Sequence, residues 1–338
     1  MPATAALSNR IPQLDGLRGC AVAAVFLSHA FHIRMLWIGV DLFFVMSGFL
    51  ITGILLDLKH LDMRQYFRHF YARRLRRLLI PYLMLLVVVA IVFDTSWLRH
   101  WYMYFGLMNY TEFFGCEKYL PLNPLWSLGV EEQFYLFWPL AVFALSIRRL
   151  RWLIVVLLML APVLRVVAIP YDPCHWLVYK GLPFRMDLLA MGALLALVWR
   201  SHRGTIERFG YLGLLPLIVT PPLMIVLSHH GLYSTQDGTI QGNLITYEIA
   251  LAAVTGAFLW ALGGRFVQPL TLAPLRFLGR ISYTFYLIHL PAILFMDRYT
   301  ERDGVIAGAA LLFSLAYATA SWFLIERPML RGIVSADD

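Results

Sequence analysis

The chain has 338 residues, of which 60% are hydrophobic and only 14% are charged, and its formal net charge is +8. A soluble globular domain has about a quarter of its residues charged, so this composition excludes an ordinary soluble protein. It predicts a protein that crosses a membrane several times and has the lipid bilayer as a partner. No nucleic-acid partner is expected, because basic residues also collect on the cytoplasmic side of membrane proteins.

Hydrophobic segments long enough to span a bilayer follow one another along most of the chain. They predict an all-α, polytopic membrane helix bundle with about ten transmembrane helices, at 14–33, 37–56, 78–93, 124–146, 152–169, 183–199, 211–228, 244–262, 275–296 and 305–325. No cleavable signal peptide is expected, because Asp15 and Arg18 interrupt the first segment. The connections are mostly short, so we expect a single domain over residues 11–330 and no appended soluble domain.

The basic residues predict the orientation. With the N-terminus inside, most lysines and arginines fall in segments that face the cytoplasm, which are 57–77, 147–151, 200–210, 263–280 and the tail after 325. The positive-inside rule then places both termini in the cytoplasm and the protein in the inner (cytoplasmic) membrane. Cys116 and Cys174 fall in outward connections, where a disulfide and two free thiols are equally compatible with the sequence.

The first span contains an arginine and a histidine, Arg18 and His29, eleven residues apart. Eleven residues are almost three helical turns, so both side chains share one helix face, roughly 16 Å apart along the axis. Ionisable residues at membrane depth are costly and mark functional sites. An imidazole can take a proton from a hydroxyl, and an arginine can bind a phosphate with two parallel hydrogen bonds.

The second span and the basic segment after it add further candidates. The second span carries Asp41 near its outer end and Ser47 next to Gly48, a small residue suited to close helix packing. The basic segment includes Arg73, Arg74 and Arg77. These arginines are explained equally well by topology and anionic-lipid contact or by a binding site for a phosphorylated cytoplasmic ligand.

Later spans bring more polar groups into the bundle. Glu131 and Glu132 are adjacent within the fourth span, and adjacent helical residues point about 100° apart, so at most one is expected to face a shared cavity. We favour Glu132 as the partner of His29 or of an arginine. Together these groups predict a hydrated central cavity, with further lining or substrate-binding residues Asp15, Asp41, Ser47, Trp126, Ser127, Arg185, Asp187, Tyr286 and His289.

The ordered set of motifs resembles the acyltransferase-3 family of integral membrane acyltransferases. The matching segments run in the family's order over about residues 11–328 and are LDGLRG with Arg18-x10-His29, GVDLFFVMSGFLI, RRLRR, LWSLGVEEQFYL, FRMDLLAMG, LGRISYTFYLIHLP and IERP. The chain departs from the family at Asn123-Pro124-Leu125, where many members place a histidine.

The resemblance implies an O-acetyltransferase that moves acetyl or other short acyl groups from acetyl-CoA or another acyl-CoA to a hydroxyl. Implied acceptors include surface polysaccharides, lipopolysaccharide, peptidoglycan and macrolides. It also implies that His29 is essential, as general base or transient acyl carrier. On this basis we predict catalytic roles for His29, Arg18 and Glu132, and coenzyme contacts for Arg73, Arg74 and Arg77. No metal is expected, and the sequence leaves the oligomeric state open. A transporter or flippase for a lipid-linked sugar or small solute is the alternative.

Overall fold

The computed structural model describes residues 11–111, 119–172, 176–230 and 240–329. Within these ranges the chain is helical and has no strand, which confirms the predicted all-α class. The helices are α1 (Pro12–Ala30), α2 (Ile38–Leu58), α3 (Met63–Val92), α4 (Leu125–Ala144), α5 (Ile147–Ala168), α6 (Trp176–Lys180), α7 (Leu182–Phe209), α8 (Leu214–His229), α9 (Ile240–Leu262), α10 (Ala273–Arg280), α11 (Ser282–Asp297) and α12 (Asp303–Ser321). Cys116 and Cys174 lie outside the described residues.

By length and composition, six helices or continuous helical runs in the described ranges can cross a membrane, or seven if α10 and α11 form one broken span. One of the six is the continuous run 176–229, which contains α6, α7 and α8. Helices α10 and α11 meet at an angle of 78°. The protein is therefore a multi-pass membrane protein, while the number of ten spans and the orientation of the termini stay predictions.

Local signals in the sequence explain where several helices begin and end. Asp62 caps α3, since its carboxylate accepts a 3.0 Å hydrogen bond from the backbone N–H of Gln65. Ser146 precedes α5 and accepts from the backbone N–H of Arg149. At the C-terminal end of α4, Lys59 donates to the carbonyls of Val142 and Leu145. These hydrogen bonds satisfy carbonyl groups that a helix end leaves free.

Glycines allow two close helix crossings. A Cβ built on Gly48 of α2 would lie 2.0 Å from the carbonyl oxygen of Leu189 in α7, and one on Gly192 of α7 would lie 2.0 Å from the carbonyl oxygen of Val45. A Cβ on Gly279 of α10 would lie 1.7 Å from the carbonyl oxygen of Asp15 in α1. Small residues at such crossings let two backbones approach closely, and these contacts hold α2 against α7 and α10 against α1.

Replacing Gly48 by alanine is expected to destabilise the protein, because the new methyl group collides with a helix backbone that cannot rotate away. The expected loss is about 1–3 kcal/mol, the usual cost of overpacking. Thermal unfolding in detergent measures it, with Gly308→Ala in α12 as the matched control, because no atom lies within 4 Å of a Cβ at Gly308. Equal stability of the two variants would contradict the described crossing.

Candidate active site

A cavity of about 470 Å³ lies between α1, α2, α3, α4 and α11. Four arginines line it, Arg18 from α1 together with Arg73, Arg74 and Arg77 from the cytoplasmic half of α3 in the predicted topology. The three α3 residues follow an i, i+1, i+4 spacing, so one face of the helix presents all of them. The structure thus gathers arginines from two separate motifs against one space.

Glu131 provides negative charge in this arginine-lined cavity. Its carboxylate accepts a 2.6 Å hydrogen bond from Ser47 Oγ of α2 and a 2.8 Å hydrogen bond from the Tyr135 hydroxyl one turn along α4. The Arg74 guanidinium lies 4.5 Å from the centre of the Tyr135 ring. Arg18 lies within electrostatic range of both Glu131 and Arg74. The Glu131 carboxylate therefore connects the hydroxyls of Ser47 and Tyr135 to the arginines that line the cavity.

The structure places Glu131, and not the predicted Glu132, among the residues that line the cavity. Glu132 is exposed, and its carboxylate lies against Gly106. The two carboxylates point in different directions because neighbouring residues of a helix are rotated by about 100° about its axis. Ser127, Leu128, Glu131 and Tyr135 share the face that lines the cavity.

Glu131 and Glu132 point about 100° apart, and only Glu131 lines the cavity, so the two provide a matched test of the site. Glu131→Gln keeps the side-chain size but removes the charge and one hydrogen-bond acceptor, so we expect kcat for the acyl transfer that the motifs imply to fall by about ten- to a hundredfold. Glu132→Gln is expected to leave kcat unchanged. Acyl-transfer rates of both purified variants measure the difference, and equal rates would remove Glu131 from the site.

Neutral side chains line the cavity away from the arginines. The Tyr286 hydroxyl of α11 donates to the carbonyl of Pro124 at 3.0 Å and contacts Ser127 Oγ at 2.8 Å. Phe43 and Phe44 of α2 complete this part of the wall, and the Phe43 and Tyr286 rings lie 6.1 Å apart. Within the described lining, this region has hydroxyls and aromatic rings, which suits a small uncharged group.

His29 does not line this cavity in the described structure, but it is linked to it through α11. Its Nδ1 atom lies 3.2 Å from Nε2 of His289, and the two ring centres are 5.0 Å apart. The His289 ring is fully buried and lies 5.4 Å from the ring of Tyr286, which does line the cavity. Both histidines are predicted site residues, but no local pattern in the sequence indicates that they contact each other.

Asp41, Arg185 and Asp187 form a separate buried ionic cluster and are not among the residues that line this cavity. Arg185 of α7 pairs with Asp41 of α2, and both side chains are 1% exposed. Asp187 pairs with Arg165 of α5 at 2.7 Å. Arg165 also contacts Glu248 of α9 at 2.6 Å. These charges satisfy one another across four helices, which is the common fate of charges buried in a membrane bundle.

Trp126 and Asp15 also lie away from the cavity wall. Trp126 is buried in aromatic packing, 5.1 Å from the ring of Tyr179 and 6.0 Å from that of Phe44. The Asp15 carboxylate lies 4.0 Å from Arg280 of α10. Asn123, the first residue of the Asn123-Pro124-Leu125 segment, accepts a 3.0 Å hydrogen bond from Lys180. Trp126 and Asp15 therefore serve packing and pairing roles next to the cavity.

Among the hydroxyl-bearing residues that line the cavity, three were not predicted, namely Tyr135, Tyr283 and Ser282. Tyr135 was detectable, since it follows Glu131 by four residues and Ser127 by eight on the same helix face. The described residues contain no group of three or more histidine, cysteine, aspartate and glutamate side chains able to hold a metal ion.

These features define a class, a multi-pass helical membrane protein with an arginine-lined cavity and, nearby, a pair of imidazoles of which one is fully buried. The model of the acyltransferase-3 family, described as an acyltransferase domain, matches residues 11–327. The chain therefore belongs to the acyltransferase-3 family, which confirms the resemblance seen in its motifs.

Relatives of this chain come from several bacteria. YrhL of Bacillus subtilis (strain 168) is 32% identical over 360 aligned residues, which cover 94% of this chain and 55% of YrhL. The peptidoglycan O-acetyltransferase OatA of Listeria monocytogenes is 29% identical over 84% of this chain and 49% of OatA. The O-acetyltransferase OatA of Staphylococcus aureus (strain NCTC 8325 / PS 47) is 27% identical over 94% of this chain and 57% of OatA. The chain thus spans about half the length of these relatives. No solved structure matches it.

Proposed function

We propose that this chain is a membrane O-acyltransferase that moves an acetyl or other short acyl group from an acyl-CoA to a hydroxyl of a cell-surface glycan. The observation that carries the proposal is the cavity between α1, α2, α3, α4 and α11. It has four arginines in its wall, and Tyr286 in the same wall lies beside the His289–His29 pair. Phosphate-binding groups and an imidazole are the two requirements for this reaction that protein side chains can supply.

The donor's phosphates would be bound by the arginines of α3 and by Arg18. A guanidinium binds a phosphate through a planar pair of N–H donors, and four of them match the several negative charges of coenzyme A. The acyl end of the donor would then extend past Glu131 towards Ser127 and Tyr286, where the described wall is neutral. This direction runs from Arg18 towards His29 along α1, as the spacing of the two residues predicts.

His29 would then act on the acceptor as a general base or carry the acyl group briefly itself. In the first case its free nitrogen takes the hydroxyl proton while the oxygen attacks the thioester carbonyl carbon. The C–S bond breaks, and the imidazolium returns the proton to the departing thiolate of coenzyme A. In the second case the nitrogen attacks the thioester first, and the hydroxyl later displaces the acyl group. Both routes form one ester and release one thiol.

The name of one relative supports the choice of acceptor, and the distribution of basic residues supports the location. The Listeria relative carries a name that specifies peptidoglycan, so we propose a glycan of the cell surface as the acceptor. We also propose that the chain lies in the inner membrane with both termini in the cytoplasm. The acyl group would then reach the acceptor through the protein while coenzyme A stays on the cytoplasmic side.

Labelled acetyl-CoA tests the reaction. The full chain in nanodiscs is incubated with acetyl-labelled acetyl-CoA, with and without peptidoglycan fragments, and release of free thiol and transfer of label are both followed. The expected result is thiol release, with label found on the fragments. The transporter alternative would be established instead if the protein released no thiol, transferred no label and moved an unmodified lipid-linked sugar across the membrane of liposomes.

The arginine contacts predict an effect on donor binding. Arg77→Ala is expected to raise KM for acetyl-CoA by about tenfold or more, because a hydrogen bond to a charged phosphate contributes about 1.5–3 kcal/mol. Arg76→Ala is the matched control, since the neighbouring Arg76 is exposed and does not line the cavity. Steady-state kinetics on both variants measure the change, and an equal KM for the two would place the phosphates elsewhere.

A further inference from the structure

His29 and His289 are joined in a way that determines which nitrogen of each ring carries the proton. Nδ1 of His29 lies 3.0 Å from the carbonyl oxygen of Val25, one turn back along α1. Nδ1 of His289 lies 2.5 Å from the carbonyl oxygen of Tyr286 on α11. The third contact is the 3.2 Å distance between Nδ1 of His29 and Nε2 of His289.

A carbonyl oxygen can only accept a hydrogen bond, so each of these Nδ1 atoms must carry its proton. A neutral imidazole has one N–H, and in His289 that N–H is already used by Tyr286. Nε2 of His289 is therefore an acceptor. The Nδ1–H of His29 points between this nitrogen and the carbonyl oxygen of Val25, so two acceptors share one N–H. The opposite arrangement would direct a lone pair of His29 at the Val25 oxygen, which is repulsive.

This arrangement leaves Nε2 of His29 with its lone pair and, among the described residues, without a hydrogen-bond partner. We infer that His289 is a positioning residue, which holds His29 in the tautomer whose Nε2 is free to react. The inference rests on the proposed function, since a base or nucleophile is needed only if acyl transfer takes place. It applies equally to direct transfer and to an acyl-histidine intermediate, because both begin with the lone pair on Nε2.

The same contacts act after the proton has moved. When His29 Nε2 has taken the hydroxyl proton, its ring is an imidazolium, and its Nδ1–H becomes a charge-assisted donor to Val25 and His289. Such hydrogen bonds are roughly twice as strong as neutral ones. His289 supplies this acceptor without a negative charge. Its second role is therefore to stabilise the charged form of His29 during the reaction.

Two substitutions at His289 separate this role from simple packing. Glutamine places its amide oxygen three bonds from Cβ, as far as Nε2 of histidine, so His289→Gln keeps an acceptor for His29. Asparagine ends one bond earlier and mimics only the Nδ1 side, so His289→Asn leaves the Nδ1–H of His29 without that acceptor. We expect kcat of the asparagine variant to fall about a hundredfold, less than the roughly 10⁴-fold loss seen when an imidazole loses an orienting carboxylate, with KM for acetyl-CoA unchanged.

The glutamine variant is expected to recover most of the lost kcat, and His60→Asn, an exposed histidine outside the cavity, is the control. Equal losses in the two His289 variants, or a change in KM alone, would overturn the positioning role. Nitrogen-15 spectra of histidine-labelled wild-type protein provide a test that needs no His289 variant. The signal lost in His29→Ala must show a protonated Nδ1 and a bare Nε2, and a protonated Nε2 overturns the inference.

Failure of the inference is distinct from failure of the proposed function. If wild-type protein releases no thiol from acetyl-CoA, the acyltransferase proposal itself is lost. If wild-type protein is active, His29→Ala is inactive and His289→Asn is fully active, the proposed function stands and the positioning role of His289 is rejected.

Discussion

Replacing His29 by alanine is expected to reduce acyl transfer by at least about a hundredfold, the contribution typical of a positioned general base. The variant should still fold, because His29 is only partly buried and its neighbours Val25 and Phe26 supply the packing of that turn. The measurement is label transfer from acetyl-CoA by the purified variant, normalised to the amount of protein in nanodiscs.

His32→Asn is the matched control for this experiment. His32 lies three residues further along, is exposed and has a φ of 53°, a conformation that asparagine tolerates well. We expect the control to retain wild-type transfer. Full activity of His29→Ala would remove His29 from the chemistry, while loss of activity in both variants would point to a disturbed C-terminal end of α1 instead.

Breaking the Arg185–Asp41 pair is expected to destabilise the protein by about 3–5 kcal/mol, the usual effect of leaving one buried charge without its partner. Arg185→Met removes the guanidinium but keeps a long apolar side chain among the surrounding rings. Those rings include Tyr247, whose centre lies 4.9 Å from the Arg185 guanidinium carbon. Asp41 would then be left without its partner at 1% exposure.

The double variant Asp41→Asn with Arg185→Met separates charge from packing. It removes both charges, so we expect it to be clearly more stable than Arg185→Met alone. Thermal unfolding in detergent reports the order. A double variant as unstable as the single one would indicate that the contacts of Arg185 with the aromatic rings, and not the ion pair, hold α2 and α7 together at this level.

The chain covers about half of each relative that it matches, and the match to the family model covers residues 11–327. The proposals therefore concern the chemistry of the helical bundle, and thiol release from acetyl-CoA is the measurement closest to it. Transfer to peptidoglycan fragments tests a second point, whether this bundle delivers the acyl group to a glycan. Recording both separates the donor half of the reaction from the acceptor half.

Local patterns in the sequence were enough for the helical class, the membrane setting and the family. Long hydrophobic segments determine their own structure, because a backbone in lipid must satisfy its hydrogen bonds internally. The ordered motifs around Arg18, Ser47 and Tyr286 likewise identified the elements that line the cavity. Each of these conclusions depends on residues close together in the chain.

Tertiary structure alone decided which polar groups meet. The rotation of α4 about its axis placed Glu131 rather than Glu132 in the cavity. A rotation of about 100°, the angle between neighbouring residues of a helix, separates the two outcomes. Arg185 and Asp187 form ion pairs with Asp41 and Arg165 instead of lining the cavity, because a buried charge is stable only where a partner is available. His289 reached His29 from a position 260 residues away. Helix packing sets such long-range contacts, and no local pattern encodes them.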